Sequence, residues 1–426
     1  MIAIIAVVAV VIVAVAAVAL FYKPGSEEKR DPLDGRLEVY GNANNDYVVD
    51  NKDLEIVKKI INKDEGYTLA NYPLADAIAD GVVDQKDVDQ ITKIIDGTET
   101  GVWHLNHRGT DVEPAYTSVP IKSCIALSSA DMLVTLKVAG VDDRIAGVSS
   151  TNYISPILFP DLYKKGLEKI GASTMKIDTA KALELKKNDP SVTAIICPDN
   201  AGYIKDNETE LAKTFDIVRL IPGSGTTEDF VSCVLTVGFL FGESEQANKV
   251  VDWYSDLMDS IDKSIGDKVR VKAMTMNSEK NVCTETSPYT GVILAAGAQF
   301  PYGNLGQDKV AISRSFDKTT DTWLYTYDEE YLAHNVVMQY DFENTKDTYW
   351  ARSANYDQTK PFQEHKYIMF DGSMPVPVRV AYLAEQFYPD EIKKGFGDEK
   401  HQEFIDLFFK DMKGYKVADH LFVMTS

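Results

Sequence analysis

Two stretches of the chain, 34 positions apart, carry the same pattern. NANNDYVVDNKDLEIVKKII begins at Asn42 and DAIADGVVDQKDVDQITKII at Asp76. The match holds at Asp46/Asp80, Val49/Val83, Asp50/Asp84, Asp53/Asp87 and Ile60/Ile94. Duplication at a fixed offset means that one supersecondary unit is built twice. Each copy is a polar loop followed by an amphipathic helix. Leu54, Val57 and Ile61, and Val88, Ile91 and Ile95, follow i, i+3, i+7 spacing. The two apolar stripes predict helices that bury each other.

The loops are rich in oxygen. In the first, Asn42, Asn44, Asp46, Asp50 and Asp53 stand at positions 1, 3, 5, 9 and 12 of a twelve-residue loop, with the Val48 carbonyl at position 7. In the second, Asp76, Asp80, Asp84 and Asp87 and the Val82 carbonyl are the equivalents. Ca²⁺ takes six to eight oxygens, and this spacing wraps the chain around one ion. The pattern resembles a dockerin module over residues 37–97, with two F-hand (EF-hand-like) loops and Asp in place of Glu at position 12. Two departures stand out. Tyr47 replaces the Gly of position 6, where positive φ would cost a non-Gly residue roughly 1–2 kcal/mol. Ile78 removes a ligand at position 3 of the second loop. The resemblance implies a cohesin-like partner contacting Asn51-Lys52 and Gln85-Lys86.

Before the repeat, Met1 to Tyr22 contains no charge and no Gly or Pro. At about 1.5 Å per residue such a helix spans the hydrocarbon core of a bilayer. It reads as a single-pass membrane anchor, with a cleaved signal peptide ending near Ala14-Val15-Ala16 as the alternative. Residues 23–36, with Pro24, Gly25, Pro32 and Gly35, read as a linker, and 98–118 as a second one. The formal net charge of −21 argues against a nucleic-acid partner, which needs a basic face. The four cysteines form no CxxC pair and do not decide the redox compartment.

From 119 onward, short apolar runs alternate with helical stretches, predicting α/β layers with parallel strands. Strands are expected at 122–127, 144–148, 192–197, 217–220, 269–276, 336–340 and 367–370. Helices are expected at 130–139, 179–185, 208–215, 291–298, 378–387 and 402–409, with a long one over 228–265 broken near Gly242. The reading is a first lobe over 119–240, a linking helix over 243–265 and a second lobe over 266–426. IKSCIALSSADMLVTLKVAGVDDRIAGVSS at 121–150, ALELKKNDPSVTAIICPDN, VAYLAEQFYP and EFIDLFFKDM occur in that order. Together they resemble class III (cluster A-II) substrate-binding proteins of ABC importers for ferric siderophores, haem and cobalamin.

That resemblance implies a two-lobed fold, capture without catalysis, a metal-chelate ligand, a permease and ATPase as partners, and a body on the extracytoplasmic face. In open α/β sheets, ligands meet the loops at the carboxyl ends of strands. The first-lobe candidates are Ser128, Ser129, Ser149, Thr151, Asn152, Tyr153, Asp199, Asn200 and Tyr203. The second-lobe candidates are Tyr289, Gln299, Tyr302, Tyr349, Trp350 and Arg352. Arg352 offers a planar fork to an anionic chelate. No GxSxG, HExxH, P-loop or Rossmann fingerprint is present. His104 and His107 form an HxxH pair in the second linker. The alternatives are a dockerin-bearing glycoside hydrolase, which needs two opposed carboxylates, and a surface adhesion protein whose lobes bind nothing.

Overall fold

A computed structural model describes residues 33, 35–200, 202–222, 226–278, 281–283, 287–301, 316–317, 322–323, 329–353 and 359–426. The apolar segment 1–22 and most of the first linker lie outside them. Among the described residues no helix is long and apolar enough to cross a membrane.

The repeat folds as two near-identical units. Helix α1 (Asn51–Ile61) and helix α2 (Gln85–Ile95) each start at an aspartate cap. Asp50 accepts from the Lys52 N–H and Asp84 from the Lys86 N–H, and Asp53 and Asp87 close capping boxes. Leu54, Val57, Val88 and Ile91 bury one another with Ala43, Ala75 and Ala77, as the periodicity predicts, and Ile95 packs against them, but Ile61, expected in the first stripe, is exposed.

Strands β1 (Gly101–Arg108) and β2 (Asp111–Ser118) form a hairpin where a linker was expected. Gly109, at φ +66, turns the chain between Arg108 and Asp111. The linker reading of 98–118 took Gly101, Gly109 and Pro114 as punctuation. Here Gly109 makes the turn and Pro114 sits within β2.

The first lobe contains β3 (Ser123–Ala126), α3 (Ala130–Val138), β4 (Ile145–Val148), α4 (Pro160–Lys165), β5 (Glu168–Lys169), β6 (Gly171–Ser173), β7 (Lys176–Ile177), α5 (Thr179–Asn188), β8 (Val192–Pro198), α6 (Glu208–Leu211) and β9 (Asp216–Leu220). Its main sheet runs β5-β4-β3-β8-β9, all parallel. Such a sheet needs both faces covered, which is why β3 and β8 are continuous apolar runs. Helix α7 (Thr227–Phe241) ends at Gly242, whose φ of +76 breaks the long stretch, and α8 (Ser244–Ile265) continues to the second lobe.

The second lobe contains β10 (Ala273–Ser278), β11 (Asn281–Val282), α9 (Pro288–Ala295), β12 (Phe316–Asp317), β13 (Thr322–Trp323), β14 (Tyr331–Val336), α10 (Phe342–Ser353), α11 (Lys360–Gln363), β15 (Tyr367–Asp371), α12 (Val376–Phe387), α13 (Phe396–Phe408) and β16 (Val423–Thr425). Its main sheet runs β11-β10-β14-β15-β16, with a parallel centre and antiparallel edges. The strand expected at 336–340 lies at 331–336 instead. Gln339 and Tyr340 have positive φ and form a turn, their N–H groups held by Ser373 Oγ and Asp371 Oδ2 at 2.8 Å each.

Among the described residues, two side-chain ion pairs fasten the lobes. Arg379 on α12 reaches Asp131 on α3 at 3.4 Å. Lys137, also on α3, pairs with Asp411 and lies 3.8 Å from Asp142. The repeat is fastened too. Leu33, Leu37 and Val39 belong to the core that holds α7 and α8. The Arg36 and Glu38 N–H groups bond Ser232 Oγ and Thr236 Oγ1 on α7 at 3.1 Å each. The end of the expected linker at 23–36 is therefore docked on the first lobe.

Candidate ligand cleft and calcium loops

Parallel strands in both lobes send their carboxyl ends toward the boundary between them, where Gln339 Nε2 donates to the Asn152 carbonyl at 2.9 Å and Ser155 Oγ to the Gln339 carbonyl at 3.1 Å. The first-lobe candidates divide into supports and lining. Ser128 is buried, with its N–H on Ser149 Oγ and its hydroxyl on the Ser150 carbonyl. Ser149 Oγ donates to the Thr174 carbonyl. Ser129 caps α3 by accepting from the Met132 N–H. These three serines are occupied in shaping the turn.

Tyr203 lies within electrostatic reach of Tyr153, Asp199 and Asp131, which sit on the segments following β4, β8 and β3. Burial, then the proximity of Tyr153, Cys197, Asp131 and Asp199, pushes the Tyr203 hydroxyl up to about 12. Burial raises Asp199 against the pull of His107, and raises Asp131 against the pull of Arg379. Asn152 and Asn200 are exposed beside them, with Asn200 Oδ1 accepting from the Gly202 N–H at 2.8 Å. This wall is aromatic and acidic.

Arg219 holds the wall in place. It is fully buried on β9. Its Nε and one terminal nitrogen bond both oxygens of Glu208, at 3.2 and 3.0 Å. The guanidinium also donates to the carbonyls of Asn200 at 3.3 Å and Tyr203 at 2.7 Å. The hairpin adds a second brace, the Gly109 N–H on the Asp199 carbonyl at 2.8 Å. Sequence reasoning missed Arg219, Glu208 and Asp131. A lone arginine inside an apolar strand (DIVRL) was the available signal.

The second-lobe candidates separate. Tyr289 lies in the first turn of α9, half-buried, on the carboxyl side of β10. Gln299 is bridged to Lys272 at the amino end of β10, and its side chain donates to the Arg270 carbonyl. It stands at the wrong end of the sheet for the cleft. Trp350 packs on the rings of Phe362 and Tyr367, at 5.9 and 5.8 Å, and Tyr349 joins the same cluster. Both belong to a core that a helical face needed filled. Arg352 lies on α10, and its side chain, like all of Tyr302, falls outside the described residues.

The HxxH pair is buried in the hairpin. His104 bonds the Leu105 carbonyl and Thr117 Oγ1 at 2.9 Å each, and burial pushes it down to about 4. His107 Nε2 meets Glu38 Oε2 at 2.7 Å. Burial pulls His107 down, but the Glu38 carboxylate outweighs it and the imidazole is raised. Burial pushes Glu38 up, and His107 brings it net below its ordinary value. Asp199 and Asp229 face the same imidazole. The raised histidine stabilises below its unfolded value of about 6.5 and loses that contribution as pH rises. The lowered glutamate stabilises above about 4.3 and loses it as pH falls. The stability gap between the protein and His107→Gln is therefore expected to peak between about pH 4.3 and 6.5 and to shrink above that range. Urea melts across pH would read it, and a gap independent of pH would remove the charged pair.

Both acidic loops have the same turn chemistry. Asp46 Oδ1 accepts from the Val48 N–H at 2.9 Å and Asp80 Oδ1 from the Val82 N–H at 3.0 Å. Asp53 accepts from Asn44 and Asp50, and Asp87 from Ile78 and Asp84. Asp76 accepts from the N–H groups of Asp80 and Gly81, the latter at φ +87. Tyr47 avoids positive φ, so the expected strain is absent. The left-handed residue of that loop is Asn45, at φ 58, and the Tyr47 hydroxyl donates to the Leu33 carbonyl. Burial pushes Asp53 and Asp76 up to about 6.

Among the described residues no three His, Cys, Asp or Glu side chains gather at metal-holding distance. The donor set nonetheless fits Ca²⁺. Asn42 is buried, its Nδ2 donates to the Leu37 and Asp46 carbonyls, and its Oδ1, at loop position 1, has no hydrogen-bond partner. An ionised carboxylate has about four acceptor sites, so each aspartate keeps lone pairs beyond its backbone bonds.

No protein-family model matches the chain, and no curated protein matches it significantly. Solved structures do resemble it. A TroA-like periplasmic binding protein, FepB of Veillonella parvula, is 15% identical, with 74% of this chain and 97% of that chain covered and a TM-score of 0.53. The molybdate periplasmic binding protein MolA of a Haemophilus influenzae ABC transporter is 11% identical, over 71% of this chain and 97% of that one, at 0.53. Helicobacter pylori CeuE, with Ni(II) bound, is 14% identical, over 74% and 98%, at 0.50. At these identities the likeness establishes the fold: an α/β fold matching class III periplasmic binding proteins.

Proposed function

We propose that the chain is an extracytoplasmic substrate-binding protein of an ABC importer, anchored through Met1 to Tyr22, which captures a metal chelate between its lobes. The observation that carries this is the wall of Tyr153, Asp199, Tyr203 and Asp131 at the carboxyl ends of the first-lobe strands, braced from behind by Arg219. Aromatic faces with few convergent polar groups suit a bulky chelate. Two of the similar folds are those of proteins named as periplasmic binding proteins, one of them with molybdate bound, and the third, CeuE, has Ni(II) bound. Ferric siderophores, haem and corrinoids are the ligand classes. Capture needs no catalytic group; the loaded protein would dock on a permease driven by an ATPase.

The repeat is read as a dockerin-like calcium module. Asn42, Asn44, Asp46, Asp50, Asp53 and the Val48 carbonyl would hold one ion, and Asp76, Asp80, Asp84, Asp87 and the Val82 carbonyl a second. Ca²⁺ would supply charge neutralisation for buried carboxylates. The Asn51-Lys52 and Gln85-Lys86 edges would meet a cohesin-like protein.

Both readings are tested by melting the full chain. A ligand at 100 times its dissociation constant adds about 2.7 kcal/mol. One chelate from a panel is expected to raise the melting temperature by several degrees, and Tyr203→Ala to abolish that rise. A folded protein unmoved by every chelate would overturn the importer reading. Ca²⁺ is expected to raise the melting temperature reversibly with EDTA, and Asp53→Ala with Asp76→Ala to remove the response. Equal melting with calcium and EDTA in the parent protein would end the calcium reading.

A further inference from the structure

Five of the chain's eleven methionines, Met274, Met276, Met338, Met369 and Met424, gather in one core cluster of the second lobe, with Trp350 of α10 and Phe362 of α11. The strand registers set three of them in a row with a histidine. Met276 on β10 stands opposite His334 on β14, His334 opposite Met369 on β15, and Met369 opposite Met424 on β16. Residues opposite each other on neighbouring strands project to the same face. Met274, Leu332 and Tyr367, two residues earlier on each strand, belong to the same cluster. Ala333, Ile368 and Phe370 belong to the main core on the other face. His334 thus stands between two thioethers.

The histidine is 2% exposed. Its Nδ1 meets the Tyr367 hydroxyl at 2.7 Å, and among the described residues no hydrogen bond reaches its Nε2. Burial pushes the imidazole down to about 4, so the ring is neutral at neutral pH. With Nδ1–H donating to the hydroxyl oxygen, Nε2 keeps a lone pair. Methionine alone fills core gaps well. Packing gives no reason for an imidazole in the middle of the row.

We propose that His334 Nε2 and the thioethers of Met276 and Met369 form a binding site for a soft monovalent cation, Cu(I). The donor set chooses the ion. Thioethers select Cu(I), whereas Mg²⁺, Ca²⁺ and Mn²⁺ take oxygen. None of the three ligands is charged, and among the described residues no three His, Cys, Asp or Glu side chains gather to neutralise a dication. One charge also costs less to bury than two. The spacing fits. Neighbouring strands stand about 4.8 Å apart, and a bond to nitrogen with a bond to sulfur, taken at their zinc lengths, spans about 4.3 Å. The Tyr367 hydroxyl is the outer partner that fixes the ring. The site lies within the second lobe and depends on neither the importer nor the calcium reading.

The test titrates the full chain, reduced and without oxygen in calcium-containing buffer, into the coloured bicinchoninate complex of Cu(I). The parent is expected to withdraw one equivalent, and X-ray absorption to show one nitrogen and two thioether sulfurs on the copper. Met276→Leu with Met369→Leu keeps the core volume. Its circular dichroism should match the parent, and its affinity should fall at least a hundredfold. Cys283 is buried beside β10, its N–H on the Thr275 carbonyl at 2.8 Å, and Cys283→Ser is expected to leave binding unchanged. A folded parent that leaves the chelator's colour unchanged would overturn the proposal. So would undiminished binding by the double Leu variant, or a loss in Cys283→Ser, because a thiolate would then hold the copper. The parent's spectrum decides even if a variant misfolds: thiolate bonds or no nitrogen on the copper would rule the site out.

Discussion

Arg219→Ala is expected to lower the unfolding free energy by about 3–5 kcal/mol, the range for breaking a buried pair by removing one partner. The side chain is fully buried and bonds both Glu208 oxygens and the carbonyls of Asn200 and Tyr203. Removing it leaves Glu208 with Arg108 as its cationic partner at the half-exposed side and frees a loop in one step. Burial pushes Glu208 up, and Arg219, followed by Arg108, holds it net below its ordinary value. Arg219→Lys should recover only part of the loss, because an ammonium cannot reproduce the planar fork. A double-mutant cycle with Glu208→Gln would isolate the pair from the carbonyl bonds. Urea unfolding measures the effect, and a loss below about 1 kcal/mol would mean that water replaces the guanidinium without penalty. The same variant should lose chelate-induced stabilisation while still folded at low temperature, since Asp199 and Tyr203 ride on the braced loop.

Lys137→Met is the second large effect, also about 3–5 kcal/mol. Lys137 is buried on α3, paired with Asp411, near Asp142, and over the Phe159 and Phe409 rings at 5.4 and 4.9 Å. Without the ammonium, two carboxylates from different lobes face each other with nothing between them. Burial already pushes Asp142 up to about 6 while Lys137 pulls it down. A carboxylate whose folded value is raised gains its proton more readily in the folded state, so folding strengthens as pH falls through that value. The deficit of the variant should therefore narrow between about pH 7.5 and 5. Adding Asp411→Leu should restore part of it at every pH. A deficit that does not change with pH and is not relieved by the second substitution would assign the loss to packing alone.

The elements with strong local patterns were legible in sequence. The duplicated loops and helices, the parallel strands at 123–126 and 192–198 and the break at Gly242 follow from period, propensity and a single left-handed glycine. The failures have a common cause. Reading 98–118 as a linker treated turn residues as evidence of irregular chain, when the hairpin's partners, Val39 and β9, lie far away in sequence. The cleft serines, Gln299 and Trp350 are polar or aromatic residues placed by the expectation that ligands meet the loops at the carboxyl ends of strands. Capping, backbone satisfaction and core filling used them first. Asp131 and Arg219 escaped notice because their partners sit on other elements, which no local window contains.

The docking of the repeat on α7 also has a mechanical consequence. Leu37 and Val39 share a core with Leu235, and the hairpin that follows the repeat ends with the Gly109 N–H on the Asp199 carbonyl. The repeat thus lacks a swivel. Whatever grips it fixes the compass heading of the first lobe as well as its position. A load applied at Lys52 or Val82 passes through one hairpin to the loop that carries Asp199 and Tyr203.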